Sequence, residues 1–455
     1  MIEKINKYLN DNIDNMISDL KGIMQINSVC TDPVPGMPYG EGSANALEYI
    51  KKLSEGFGLK TRNFQNYVVT ADYGDSDKEV ALGILAHVDV VPAGEGWTYE
   101  PFDLTVNDGR VYGRGAIDDK GPAVAVLYAV KALNDLGIEL KKNVRFIFGG
   151  GEEIGCNDIE YYQEQEALPE MLLTPDGEFP IVNAEKGIVQ LMFKKKIESD
   201  KLIGISCPGA VNAIPAKATA TVKGFTIDHI LSAIENMPYR TEFKLEQNDG
   251  CVVITSAGKS AHGSRPQNGM NALTALLRLL SELGIDDATS LCTVFAYDEY
   301  NGKSFGVDFS DEVSGEVSLA LTVCNTIDGE LEFGLDSRFP VSKKAADISE
   351  PVTAKLNELG YEITKTSTME AHYVDENSDF ISSVKKAYEV IVGEKAECIC
   401  ETGATYVHNT PCGVAFGAEM LGEDNGMHCA DESIAIDRLI LLARVYAQAI
   451  IEICG

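Results

Sequence analysis

The chain reads as an α/β protein, with a central, mostly parallel sheet flanked by helices and a separate α+β domain inserted into it. Three observations predict this. Apolar runs long enough for strands buried on both faces alternate with helical patterns over residues 1–185. The same alternation returns over residues 371–455. The intervening 186–370 has a different texture, with many short β-like runs and one clear helix.

The elements follow in order. Ile2, Ile5, Leu9, Ile13, Met16, Ile17 and Leu20 recur at helical spacing, which predicts a folded amphipathic helix over 1–20 and not a signal peptide. Residues 79–91, EVALGILAHVDVV, form a near-continuous apolar strand. Residues 121–137 have Pro122 near their start, an Ala/Val/Leu body and Gly137 at their end, the start and stop signals of a helix. Residues 142–151, KNVRFIFGGG, are a second strand, and 171–173 a shorter third. Within the insert, 187–193, 251–255, 316–323 and 330–335 read as strands, and 270–283 as a helix whose apolar stripe belongs to a core. After it come a helix at 379–392, a short strand at 414–416 and a long apolar helix at 433–454.

Composition narrows the function. A chain of 455 residues, 45% apolar and 24% charged, is an ordinary globular protein of roughly two or three domains. Its 38 Lys+Arg against 70 Asp+Glu give a net charge of −32, which argues against nucleic acid or an anionic membrane as partner. No stretch approaches about 18 consecutive apolar residues, so no membrane span is expected. The eleven cysteines contain no C-x-x-C pair, the nearest being Cys398-x-Cys400. A disulfide framework is therefore not expected; the reading is a reducing cytoplasm with cysteines as small buried hydrophobes.

Ionisable residues gather where the apolar runs end. His87-Val88-Asp89 closes the first strand, Glu152-Glu153 follows the second and Asp176 the third. His428 lies beyond the strand at 414–416, and Asp118-Asp119-Lys120-Gly121 immediately precedes Pro122. In open α/β sheets, ligands bind outside the carboxyl ends of the strands, where these clusters could converge. Singly, each has a bland explanation: a hydrogen-bonded surface pair, a solvated loop or a helix N-cap. Together they suit a metal centre, since imidazole and carboxylate ligate Zn²⁺ and also accept Mn²⁺ or Co²⁺. His87, Glu153, Asp176 and His428 make four terminal ligands, and Asp118 could bridge two cations. Asp89, two residues along the strand from His87, can accept its second imidazole N–H. Glu152 is left over beside a ligand, placed as a general base.

HVDVVPAGEGW (87–97), GRGAIDDKGP (113–122), GGGEEIG (149–155), TPDG (174–177), AHGSRPQNGMNA (261–272) and GMHCADE (426–432) resemble the di-metal aminoacylase/carboxypeptidase/dipeptidase family of exopeptidases. The wording is most similar to the PepV-type bacterial dipeptidases. The resemblance implies a catalytic domain over 1–185 and 371–455 and a lid domain over 186–370. It implies that His87 and Asp176 hold one metal, Glu153 and His428 the other, and Asp118 both, with a cis peptide bond after Asp118. Glu152 would be the base acting on a bridging water. His262 would stabilise the oxyanion, and Asn212 and Arg338 would contact substrate. One segment departs from the pattern. Where the subgroup carries Gly-Gly-Thr-Tyr-Ala-Arg, this chain ends its equivalent segment on His408, a weaker and pH-dependent anion partner. His229 and His372 fit no motif and are read as structural, and Trp97 as packing under the first metal loop.

The reading implied is a cytoplasmic dipeptidase with two divalent metals, Zn²⁺ first and Mn²⁺ or Co²⁺ next, acting on small peptides. An N-acyl-amino-acid deacylase of the same family and a non-catalytic metal- or peptide-binding relative are the alternatives. The insert exceeds the family's usual lid of about a hundred residues, enough for a second lobe covering the site within one chain. A monomer with His262 acting in cis is therefore expected.

Overall fold

The computed structural model describes residues 1–455 apart from 76, 236 and 238–240 and the side chain of 409. The chain forms two compact units. One comprises Met1–Ala184, Tyr373–Ile399 and Ala404–Gly455, the other Glu185–His372 and Cys400–Gly403. The fold is α/β with an inserted α+β unit.

The first unit opens with helices α1 (Ile2–Asp11) and α2 (Ile13–Met24). The single helix expected over 1–20 is broken at Asn12, whose side-chain amide donates to the Tyr8 carbonyl at 2.9 Å. Ile5, Leu9, Met16 and Leu20 are buried on both sides of the break. Helix α3 is Gly40–Gly56. The central sheet contains β1 (Lys60–Phe64), β2 (Val68–Tyr73), β3 (Val80–His87), β4 (Asn143–Gly149), β5 (Met171–Thr174), β6 (Ile181–Glu185) and β7 (Gly413–Ala415). They lie in the order β1-β2-β4-β3-β5-β7-β6. The middle four, β4-β3-β5-β7, are mutually parallel; the margins are antiparallel.

Helices α4 (Lys120–Asp135), α5 (Asn157–Gln165), α6 (Asp379–Val392) and α7 (Ile436–Cys454) complete the unit. Alternating side chains explain why β3 and β4 are so apolar. Val144, Phe146 and Phe148 join the large core with α4 and α7. Leu85 and Ile147 enter a smaller one with Ile159, Tyr162 and Tyr406. Both faces are covered, so no polar alternation is required. Because the middle four strands are parallel, His87, Gly149, Thr174 and Ala415 all end on one edge, and the ionisable loops leave from it.

The second unit is an antiparallel sheet in the order Glu242–Asn248, Cys251–Ala257, Lys217–Lys223, Leu202–Cys207, Ser318–Ile327, Glu330–Phe339, Gly187–Lys196 and Glu362–Met369. Helix Ala272–Glu282 contributes Leu273, Leu276, Leu277 and Leu280 to its core. Its N-cap Asn271 accepts from the amides of Leu273 at 3.0 Å and Thr274 at 3.1 Å. Among the described residues the insert clusters as one compact unit around this core, with two small two-stranded sheets beside the main one. No helix among the described residues is long and apolar enough to cross a membrane.

Candidate metal centre

His87 ends β3 and is fully buried. Its Nε2 lies 2.8 Å from Asp118 Oδ1 and 3.8 Å from Asp176 Oδ2. Asp118 sits in the turn before α4, and the Asp118–Asp119 peptide is cis. Its other oxygen, Oδ2, lies 2.9 Å from His428 Nε2, which is also 3.3 Å from Glu153 Oε1. Donor atoms of His87, Asp118 and Glu153 all fall within 4.8 Å of one another. The first unit thus brings together His87, Asp118, Glu153, Asp176 and His428, although the chain spaces them over more than three hundred residues.

Buried carboxylates hold the loops that carry these groups. The Asp89 carboxylate accepts the amides of Glu152 at 3.2 Å and Glu153 at 3.1 Å. This differs from the role expected for it: His87 Nδ1 is 3.1 Å from Asp89's backbone carbonyl and 3.5 Å from its carboxylate. The main chain accepts the imidazole, which leaves the Asp89 side chain for the Glu-Glu loop. Asp119 accepts the His87 amide at 3.1 Å. Asp158 Oδ2 accepts the Gly151 amide at 2.8 Å and the Tyr406 hydroxyl at 2.6 Å. A Cβ at Gly149 would lie 1.9 Å from that hydroxyl, which is why glycine stands there. Glu432 Oε1 accepts from Gly115 and Ile117 at 3.0 Å and Asp118 at 3.3 Å, while its Oε2 accepts from Arg114 at 2.6 Å.

The electrostatics are those of crowded carboxylates. Burial opposes a charge on His87, but Asp118 and Asp89 overcome it and hold the imidazole well above its usual range. Asp118 and Glu153 hold His428 up at about 11. Burial also opposes the Asp118 charge, yet the two imidazoles keep it below the usual carboxylate range. Asp176 is pushed up to about 8 by burial and by Asp118. Burial pushes Glu152 well up; His87 opposes this, and Asp176 and Glu153 add to it.

This donor set fits divalent cations. His87 Nε2 and Glu153 Oε1 are buried without a hydrogen-bond partner. The 2.8 Å approach of His87 Nε2 to Asp118 is therefore proximity without an aligned N–H bond. Imidazole nitrogen and carboxylate oxygen are ligands that Zn²⁺ and Mn²⁺ both take.

The remaining predicted residues divide between the units. His408 lies in the first, in the turn Tyr406–Asn409, and is only 6% exposed. Trp97 donates from Nε1 to the Ala93 carbonyl at 2.7 Å and carries the Arg114 guanidinium 5.3 Å over its ring. The second unit holds Asn212, His262 and Arg338. The Asn212 carbonyl accepts the Gly263 amide at 2.6 Å, next to His262. Arg338 is buried and forked onto Asp336 through Nε at 2.9 Å and Nη2 at 3.2 Å, with Nη1 donating to the Thr402 carbonyl at 3.0 Å.

The model of peptidase family M20/M25/M40 matches residues 83–452. The chain belongs to this family. A relative from Bacillus subtilis strain 168, "Putative dipeptidase YtjP", is 33% identical over 97% of each chain. Human carnosine dipeptidase 1 shares the fold at a TM-score of 0.64 with 16% identity, covering 99% of this chain and 98% of that one. The Bacillus subtilis YXEP protein, described as a dinuclear metal binding peptidase of the M20 family, does so at 0.51 with 12% identity, covering 98% and 99%.

The M20 chain is therefore a metal-dependent peptidase, a hydrolase. Several groups that hold this centre were not expected from the sequence, namely Asp119, Asp158 and Glu432; in the second unit the same is true of Ser264, Thr402 and Asp336 around His262 and Arg338. Glu432 stood in a quoted motif, GMHCADE, and Asp119 in GRGAIDDKGP. Nothing in the sequence marked Asp158, whose partners lie at Gly151 and Tyr406.

Proposed function

We propose that the first unit holds two divalent cations and that the protein hydrolyses dipeptides. His87 and Asp176 would hold one cation, Glu153 and His428 the other, and Asp118 both. The observation that carries this is the division of Asp118, with one oxygen 2.8 Å from His87 and the other 2.9 Å from His428. Such a carboxylate could serve one cation with each of its oxygens. Zn²⁺ is the first candidate and Mn²⁺ or Co²⁺ the next. When bound, the pair supplies Lewis acidity toward the scissile carbonyl and lowers the pKa of water toward about 7.

The chain's own residues supply the rest. Glu152 takes a proton from the attacking water and delivers it to the leaving amine. Asp89 fixes the loop from which Glu152 acts by accepting its amide. His262 donates to the developing oxyanion, a type of contact worth about 3 kcal/mol. Asn212, Arg338 and His408 contact the substrate. The names of YtjP and carnosine dipeptidase 1 support a dipeptide as substrate. The protein acts as a cytoplasmic monomer.

The test is a panel of free dipeptides, each beside its N-acetylated form, assayed with Zn²⁺ and with Mn²⁺. Turnover of the free dipeptides is expected. Turnover confined to N-acylated amino acids would replace this reading with the deacylase one.

A further inference from the structure

The second unit contains a short polar chain behind His262 that the reaction as described does not use. Nδ1 of His262 lies 2.7 Å from Ser264 Oγ and 3.3 Å from the Ser264 backbone amide. Thr402 Oγ1 donates to the same Ser264 Oγ at 2.9 Å. We propose that Ser264 and Thr402 are positioning residues that fix His262 as the Nε2–H tautomer, so that it meets substrate as a neutral hydrogen-bond donor.

The assignment follows from proton counting. A main-chain amide can only donate, so the Ser264 N–H on Nδ1 requires a lone pair there. A hydroxyl has one proton to give. Ser264 Oγ receives the Thr402 proton and keeps its own, which, with the Nδ1 lone pair already required by the amide, is the proton between Oγ and Nδ1. Two donors converge on Nδ1, so the single ring proton of a neutral imidazole resides on Nε2. Ser264 is buried at 8% exposure whereas His262 is exposed, so the relay runs on the protein side of the ring. The backbone is built for this pincer. The Arg265 amide donates to the His262 carbonyl at 3.0 Å, which closes the turn. At Gly263 a Cβ would stand 2.9 Å from the Asn212 carbonyl and 3.0 Å from Asp336 Oδ1, so only glycine lets the chain pass there and bring Ser264 back to the ring. An oxyanion donor needs its proton on the reacting side in every turnover, which is what a fixed tautomer supplies.

The inference rests on the reading of His262 as oxyanion donor, and its test separates the two. Protein labelled with ¹⁵N-histidine is examined by long-range ¹H–¹⁵N correlation, and the His262 signals are identified by their loss in His262→Gln. An unprotonated Nδ1 and a protonated Nε2 are expected. Ser264→Ala should admit the other tautomer, and Ser264→Thr should restore the first. For Ser264→Ala, kcat should fall about three- to tenfold with KM unchanged, the weight of one net hydrogen bond. Thr402→Val should move both readouts the same way by less. A protonated Nδ1 in the parent, or a tautomer indifferent to both substitutions, overturns the proposal. The expected tautomer with full turnover by His262→Gln would uphold it and overturn the oxyanion role instead.

Discussion

Glu152 and Glu153 are adjacent carboxylates with different surroundings. Glu153 Oε1 lies 3.3 Å from His428, whereas Glu152 Oε1 has the Cys156 thiol at 3.7 Å. Glu152→Gln should therefore keep both cations while turnover falls by roughly 10²–10⁴. Metal loss in Glu152→Gln, measured by elemental analysis, would show that the two roles are exchanged. The imidazoles give a pH prediction with a definite sign. His428 is held at about 11 against an ordinary 6.5. In the cation-free protein this adds stability that is complete below pH 6.5 and is lost as pH rises through 11. Cation binding needs that imidazole neutral, so uptake at pH 8 should release protons. Calorimetric titration in buffers of different ionisation enthalpy measures the release. An apparent enthalpy independent of buffer would contradict the protonated imidazoles.

At the scale of elements, one carboxylate ties the late loop to the turn that carries Asp118. Glu432 accepts three amides and the Arg114 guanidinium, and both members of the ion pair are buried. Glu432→Gln removes one partner of a buried pair, which costs about 3–5 kcal/mol. Urea denaturation should show that loss, together with weaker metal retention; a change below about 0.5 kcal/mol would contradict the clamp. These long-range ties explain what the sequence could reveal. Strands β3 and β4 were legible because both faces are covered and the apolar run ends at an ionisable residue. The run over 79–91 overshot because Val88 and Val90 stay buried after the strand has ended at His87. The break at Asn12 was hidden because the apolar period continues through it. Residues 433–435 read as helix but form a strand, Ser433–Ala435, paired with Arg110–Tyr112, a partner no local pattern shows. The five proposed ligands were visible as residue types at strand ends. The carboxylates behind them were not, since they bind backbone amides, which have no sequence signature. Glu432 and the Asp118 amide it holds are 314 residues apart.

At the scale of the whole molecule, the proposed chemistry draws on two compact units of one chain, Glu152 from the first and His262 from the second. A net charge of −32 opposes close self-association. If one chain suffices, an inactive Glu152→Ala protein mixed with an inactive His262→Ala protein should stay inactive. Recovery of a substantial fraction of activity would show that His262 is lent between chains. In the proposed centre one carboxylate, Asp118, is shared by two cations. Anomalous diffraction from crystals grown with Zn²⁺, recorded on either side of the metal edge, tests it most directly. Two peaks about 3.5–4 Å apart are expected, one against His87 and Asp176, the other against Glu153 and His428, with Asp118 between them. A single peak, or a pair with Glu152 among the ligands, would contradict it.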